Sequence, residues 1–297
     1  MKIAVTGGSG AIGQIVCDEL TGSGHQVVSL DRAPSPTEVE FRQVDLTSLE
    51  ATRQALKGCD QVVHLAAIPD PFGGDSLEEV IGNNTVSSYV VFEAARLEQI
   101  PRVVYGCSES STGFGIHHVK LLPEYLPIDE EHPLWPHESY SLSKHIGERI
   151  GANYAKAFGM EVISLRYVWV WSRRCEDAAR EISRRAREGI RPDEINGFGC
   201  YIAVRDVARA CAASVAYQFP DDGSVPFEAF FLAAADTFLP VPTLEVVQAN
   251  YGKLPLVRDP EYFEADPCIS VFDLRKARRL LGWEPAFGWR DIDEMEF

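Results

Sequence analysis

Basic residues are scarce in this chain: 28 Lys and Arg stand against 44 Asp and Glu in 297 residues, a formal net charge of -16. Such a surface repels a phosphate backbone and no basic stripe interrupts it, so nucleic acid is excluded as a partner. Long apolar runs are also missing. None approaches the ~20 residues that cross a bilayer, and the opening MKIAVTGGSG has no long apolar segment with a cleavage site behind it. A cytoplasmic protein with no membrane partner is the expectation. The seven cysteines (Cys17, Cys59, Cys107, Cys175, Cys200, Cys211 and Cys268) stand singly, with no CxxC pair and no Cys/His cluster at metal spacing. They read as reduced thiols, and no metal site is expected. Internal repeats and low-complexity tracts are absent too. What remains, 45% hydrophobic and 24% charged residues, is the composition of a globular chain with a large core.

Short β-branched runs alternate with helical patterns through the first half. Strands are expected at Ile3 to Thr6, Gln26 to Leu30, Glu40 to Val44, Gln61 to Leu65, Arg102 to Cys107 and Glu161 to Arg166. Helices are expected at Ile12 to Leu20, Leu49 to Leu56, Leu77 to Leu97 and Ser141 to Phe158. This order predicts an α/β fold, a Rossmann-type doubly wound parallel sheet. Beyond Arg166 the alternation weakens into an Arg-rich helix (Asp177 to Glu188), an apolar helix (Val207 to Tyr217) and Pro-containing connections. The expected division is a dinucleotide-binding domain over 1–166, with 205–235 returning to it, and a smaller C-terminal substrate lobe made of 167–204 and 236–297.

The run TGGSGAIG, residues 6–13, joins the first strand to the first helix. Gly7 permits a tight turn, Gly10 lets backbone N–H groups of the Ala11-Ile12 turn approach a pyrophosphate, and Gly13 lets the helix pack against the strand. A ligand-free glycine loop is the alternative, and the strand before and helix after weigh against it. Asp31 ends the second strand about 20 residues on, where a carboxylate accepts from ribose hydroxyls and repels a 2′-phosphate. NAD is therefore favoured over NADP, although Arg32 beside it is either a surface charge or a partner for that phosphate. Asp45-Leu46, after the third strand, can bracket an adenine; the alternative for Asp45 is a helix cap beside Thr47-Ser48.

Tyr140 and Lys144 lie at i and i+4, on one helix face. An ammonium there lowers the phenol pKa toward the working pH, as a general acid/base requires. With this pair the sequence resembles the extended short-chain dehydrogenase/reductase family of sugar-nucleotide epimerases, dehydratases and sugar dehydrogenases. The resemblance runs in order through TGGSGAIG, Asp31, Asp45-Leu46, HLAA at 64–67, Asn84, VVYGCSESSTGFG at 103–115, LPIDEEHPLWPHESYSLSK and LGWEP at 281–285. It implies that Leu65, Ala66 and Ala67 pass along the cofactor, that Asn84 faces the site, and that a hydroxyl just past the fifth strand orients the substrate oxygen. Counting four residues back from Phe114-Gly115, which stands where the family has Tyr-Gly, leads to Ser110; Ser108 is the rival. A homodimer through the helices at 77–97 and 141–158 is a further implication.

Two positions depart from the nucleotide-sugar members. Trp169 stands where they carry an Asn, and Gly199 near where they carry an Arg for the diphosphate. A small polar substrate therefore suits the short lobe better. Trp169 and Trp171 can stack on a sugar ring or serve as aromatic core; Arg173, Arg174 and Arg205 can hold an anionic substituent or form an exposed basic patch. The expected function is NAD-dependent hydride transfer to or from a sugar or sugar acid. A nucleotide-sugar epimerase with bound NAD and a non-catalytic NAD-binding regulator are the alternatives.

Overall fold

Strands and helices alternate from the first residues of the computed structural model, which describes residues 1–34, 38–69, 74–116, 118–194 and 197–295. In chain order they are β1 (Lys2–Thr6), α1 (Ala11–Gly22), β2 (Gln26–Asp31), β3 (Glu40–Gln43), α2 (Leu49–Leu56), β4 (Gln61–His64), α3 (Leu77–Leu97), β5 (Arg102–Ser108), β6 (Tyr125–Leu126) and α4 (Ser139–Phe158). The later elements are β7 (Glu161–Tyr167), β8 (Trp169–Trp171), α5 (Glu176–Glu188), β9 (Tyr201–Ala203), α6 (Val204–Ala216), β10 (Phe227–Leu232), α7 (Thr243–Tyr251), β11 (Leu256–Val257), α8 (Pro260–Ala265) and α9 (Arg275–Leu281). Seven strands form one parallel sheet in the order β10-β7-β5-β4-β1-β2-β3. The order reverses at β1, and the crevice beyond the strand ends at that point is where an open α/β sheet binds ligands.

The inner strands are apolar on both faces because helices cover both. Ile3, Val5, Val63, Val104, Ile163 and Leu165 pack toward one layer, with Val16, Leu20, Val207 and Cys211 of α1 and α6. Ala4, Val28, Leu30, Val62, Val103 and Val162 pack toward the other, with Phe92 of α3 and Tyr154 of α4. Local signals place the helix ends: Ser76 and Glu79 form a reciprocal capping box at the start of α3, and Gly159, at φ 67°, ends α4.

The later chain contributes to both parts. β10 adds the seventh strand and α6 packs on α1. A third apolar cluster lies outside the sheet layers, where Trp171 of β8, Tyr201 of β9, Ala179 and Ala186 of α5, Phe238 and Val246 gather with Trp289. The C-terminal segment is fastened to α6 at Asp206 and Arg209, the latter donating to Glu284 O at 3.2 Å. Asp206 accepts from the backbone N–H groups of Ala286 and Phe287, and its backbone oxygen accepts from Trp283 Nε1 at 3.0 Å. Among the described residues no helix is long and apolar enough to cross a membrane. All seven cysteines are free thiols.

Candidate active site

A cavity of about 990 Å3 opens along the C-terminal ends of β1, β2, β4 and β5 and runs toward the segment at β8. Its first half is made mostly of backbone. Gly7, at φ 70°, turns the chain out of β1, and a Cβ there would lie 2.8 Å from the Ala66 backbone. At Gly13 a Cβ would lie 2.1 Å from Gly7 O, so neither position admits a side chain without opening the loop. Gly10 precedes α1 and provides no side-chain cap, and Ala11 and Ile12, at the positive end of the helix, line the cavity. That geometry fits a pyrophosphate.

Asp31 accepts from Ser9 N at 3.1 Å and Arg32 N at 2.7 Å, and both Asp31 and Arg32 line the cavity. Arg32 also donates to Asn83 Oδ1 at 2.8 Å. Leu46, Leu65, Ala66 and Ala67 line the same half, as expected. Asp45 does not: its Oδ1 accepts from the Thr47 backbone and hydroxyl at 3.0 and 2.8 Å, which holds its carboxyl below the usual range, and Arg32 stands 3.6 Å away. It turns the chain into α2. Asn84 does not line the cavity either. Its amide is spent on both backbone groups of Ile68, at 2.8 and 3.0 Å, and on Ser143 Oγ at 3.2 Å. It clamps the loop after β4 to α4, and its neighbours Asn83 and Ser87 line the cavity instead.

The reactive groups meet at the middle of the cavity. Glu138, buried just before α4, accepts from the backbone N–H groups of Tyr140 (2.5 Å) and Ser141 (3.1 Å) and from the hydroxyls of Ser139 and Ser141. A carboxylate suits a helix N-terminus and fixes the turn from which Tyr140 projects. Lys144 follows one turn later. Its Nζ donates to Gly106 O at 2.8 Å and lies 5.8 Å from the Tyr140 ring centroid. Burial pushes the Lys144 ammonium down to about 8. Behind it, burial also pushes His64 down to about 3, so the ring is neutral, with Nδ1 2.7 Å from Thr6 Oγ1. Ser108 ends β5, and its Oγ accepts from Ser110 N at 3.1 Å and Ser110 Oγ at 2.9 Å. Ser108, Ser110, Tyr140 and Lys144 all line the cavity.

At the far end the aromatic pair divides. Trp169 is 39% exposed and lines the cavity, whereas Trp171 is 1% exposed and stacks on Tyr201 with ring centroids 4.2 Å apart. Of the two roles expected for Trp171, its burial and its stacking on Tyr201 match aromatic core. Arg174 lines the cavity; Arg205 lies outside it, exposed at the start of α6. Sequence reading missed Ser9, Asn83, Ser87, Ser172 and, above all, Glu109 and Gly115, which line the same space. For Glu109 the signal was its place between the two serines.

Residues 3–224 match the NAD dependent epimerase/dehydratase family. An L-arabinose 1-dehydrogenase (NAD(P)(+)) of Haloferax volcanii is 33% identical over 57% of this chain and 67% of its own length. A uronate dehydrogenase of Pseudomonas syringae pv. tomato is 29% identical over 56% of this chain and 58% of its own. The first four curated relatives are matched over 57% to 67% of their own lengths. Among solved structures, a UDP-galactose 4-epimerase is 27% identical with a TM-score of 0.69, covering 98% of this chain and 96% of that one. The chain belongs to the NAD dependent epimerase/dehydratase family.

Proposed function

We propose that the chain is an NAD-dependent oxidoreductase that moves hydride between the nicotinamide and a carbinol or carbonyl carbon of a free sugar or sugar acid. The observation that carries this reading is the convergence of Tyr140, Lys144 and the Ser108–Ser110 pair on the cavity that begins at the glycine loop. Gly7, Gly10 and Gly13 would hold the pyrophosphate, Asp31 the adenosine ribose, and Lys144 the nicotinamide ribose. Bound NAD supplies the hydride acceptor at nicotinamide C4. In the oxidising direction Tyr140, as phenolate, takes the proton of the substrate hydroxyl as its carbon gives up hydride, and Lys144 stabilises that phenolate. Ser108 Oγ already accepts two hydrogen bonds from Ser110, so its own O–H is left to donate to the substrate oxygen. The reading therefore gives Ser108 the direct contact and Ser110 the support, the reverse of the expected order. Ser108→Ala then lowers turnover more than Ser110→Ala.

Trp169 and Arg174 would meet the sugar at the far end. The arabinose and uronate dehydrogenases among the relatives support a free monosaccharide or its acid. The epimerase likeness over nearly the whole chain favours the second reading, a nucleotide-sugar epimerase that keeps its NAD. A screen at 340 nm with excess NAD, across aldoses, uronates and nucleotide sugars, separates the two: NADH accumulates with a free sugar or uronate under the first, and with none under the second.

A cytoplasmic homodimer is part of the same proposal. Val86, Tyr89 and Phe158 of α3 and α4 are 45% to 56% exposed, an apolar face suited to a second copy.

A further inference from the structure

Beyond Trp169 the cavity opens into a second chamber of about 390 Å3. Four residues line both spaces: Glu109, Gly115, Val168 and Trp169. Glu109 is the ionisable one, and it sits between Ser108 and Ser110 at the end of β5. Its carboxyl is accommodated by a matched vacancy, for a Cβ on Gly115 would lie 2.0 Å from Glu109 Oε1. The rest of the second chamber includes Phe114, Phe198, Phe238 and Phe272, and the cation that lines it, Arg185, is already paired with Glu194 at 2.6 Å, so little there solvates an anion.

We infer that Glu109 is a substrate-recognising residue, whose carboxyl at the junction of the two chambers hydrogen-bonds a hydroxyl of the sugar and, once ionised, disfavours a substrate carboxylate or diphosphate. This rests on the sugar-dehydrogenase reading and adds to it a preference for neutral aldoses that grows as the carboxyl loses its proton. Among the described residues, the charged and titratable groups around the junction include Tyr140 and Lys144 of α4, Tyr167 of β7, Arg174 and Cys175 after β8, Arg185 of α5, Glu194, Cys200 before β9 and Tyr251 of α7. Burial pushes the Glu109 carboxyl up to about 8. Near neutral pH the group is therefore a carboxylic acid that donates as well as accepts. Above that range it is an anion, and it repels another.

The test uses a matched pair, an aldohexose and the uronate of the same configuration, and measures kcat/KM for each with NAD from pH 7 to 9. The ratio of the two cancels the titration of Tyr140 and Lys144, which both substrates share. In the unmodified enzyme the ratio of aldose to uronate rises about tenfold across the range, the factor that ~1.4 kcal/mol of like-charge repulsion produces. In Glu109→Gln the ratio is flat. If Glu109→Gln fails to bind NAD, Gly115→Ala replaces it, since its methyl forces the carboxyl from the junction and flattens the ratio by another route. A flat ratio in the unmodified enzyme, or the same slope in the variant, overturns the assignment of Glu109 alone. Failure of every sugar to yield NADH overturns the sugar reading and this assignment with it.

Discussion

The two halves of the cavity are built differently. The half at the glycine loop consists mainly of backbone at strand ends, held by contacts within a few residues or between adjacent strands, as in Gly7 N donating to Leu30 O at 2.9 Å. The half at Trp169 is assembled from side chains drawn from β5, β8, α5, the residues before β9, and Phe238 and Phe272. A ligand shared by many enzymes is met by the first kind of surface, because backbone N–H groups survive sequence change. A ligand particular to one enzyme is met by the second, where each side chain can be exchanged separately.

Tyr140, where the halves join, gives the sharpest break. Tyr140→Phe keeps the ring and the cavity wall but removes the transferable proton, so turnover should fall by about 10^2- to 10^4-fold. NAD affinity, measured by tryptophan fluorescence, should change less than about twofold. Near-normal turnover would remove the acid/base role from this residue.

Next in size is the tryptophan pair. Trp171→Ala leaves a cavity under Tyr201 and Phe238 and should cost about 3–5 kcal/mol of stability. Trp169→Ala, at the exposed edge, should leave the melting temperature almost unchanged and raise the sugar KM. Thermal unfolding of both variants checks the difference; equal losses would place both rings in the core.

That pair also shows what was legible in the sequence. A two-residue spacing on a strand puts Trp169 and Trp171 on one face, but how deep each lies along that face is decided by β9 and Phe238, far away in the chain. The partners of Asn84 were hidden for the same reason: its amide matches Ile68 across a loop, and nothing in its neighbours announces that. Asp31, Tyr140 and Lys144 were legible because strand ends and i, i+4 spacing are local geometry. The parallel sheet was legible too, since its inner strands are apolar runs separated by helical patterns. Between Arg166 and Asp206 the Arg-rich helix at Asp177 to Glu188 was legible and is α5, but the short strands β8 and β9 on either side have no such period, and their folding is dictated by tertiary partners.

The smallest effect concerns Glu109 and pH. Its carboxyl is raised from an ordinary 4.5 to about 8 in the folded chain. Between those values the folded state holds the proton more firmly than the unfolded one, so the contribution to stability is complete below about 4.5 and is lost as pH rises through about 8. Glu109→Gln has no such term. The melting temperature of the unmodified chain relative to the variant should therefore decline from pH 5 to pH 9. A constant difference would mean that the carboxyl is better solvated than the cavity walls imply.

Isotope transfer is the most direct measurement of the central claim, that hydride leaves the substrate and departs with the cofactor. An aldose deuterated at the carbon that is oxidised, mixed with excess unlabelled NAD, should yield deuterated NADH free in solution, one label for each product molecule formed. Deuterium returned to the sugar, from a nucleotide-sugar substrate and with no label in free NADH, would contradict the account and make the chain an epimerase.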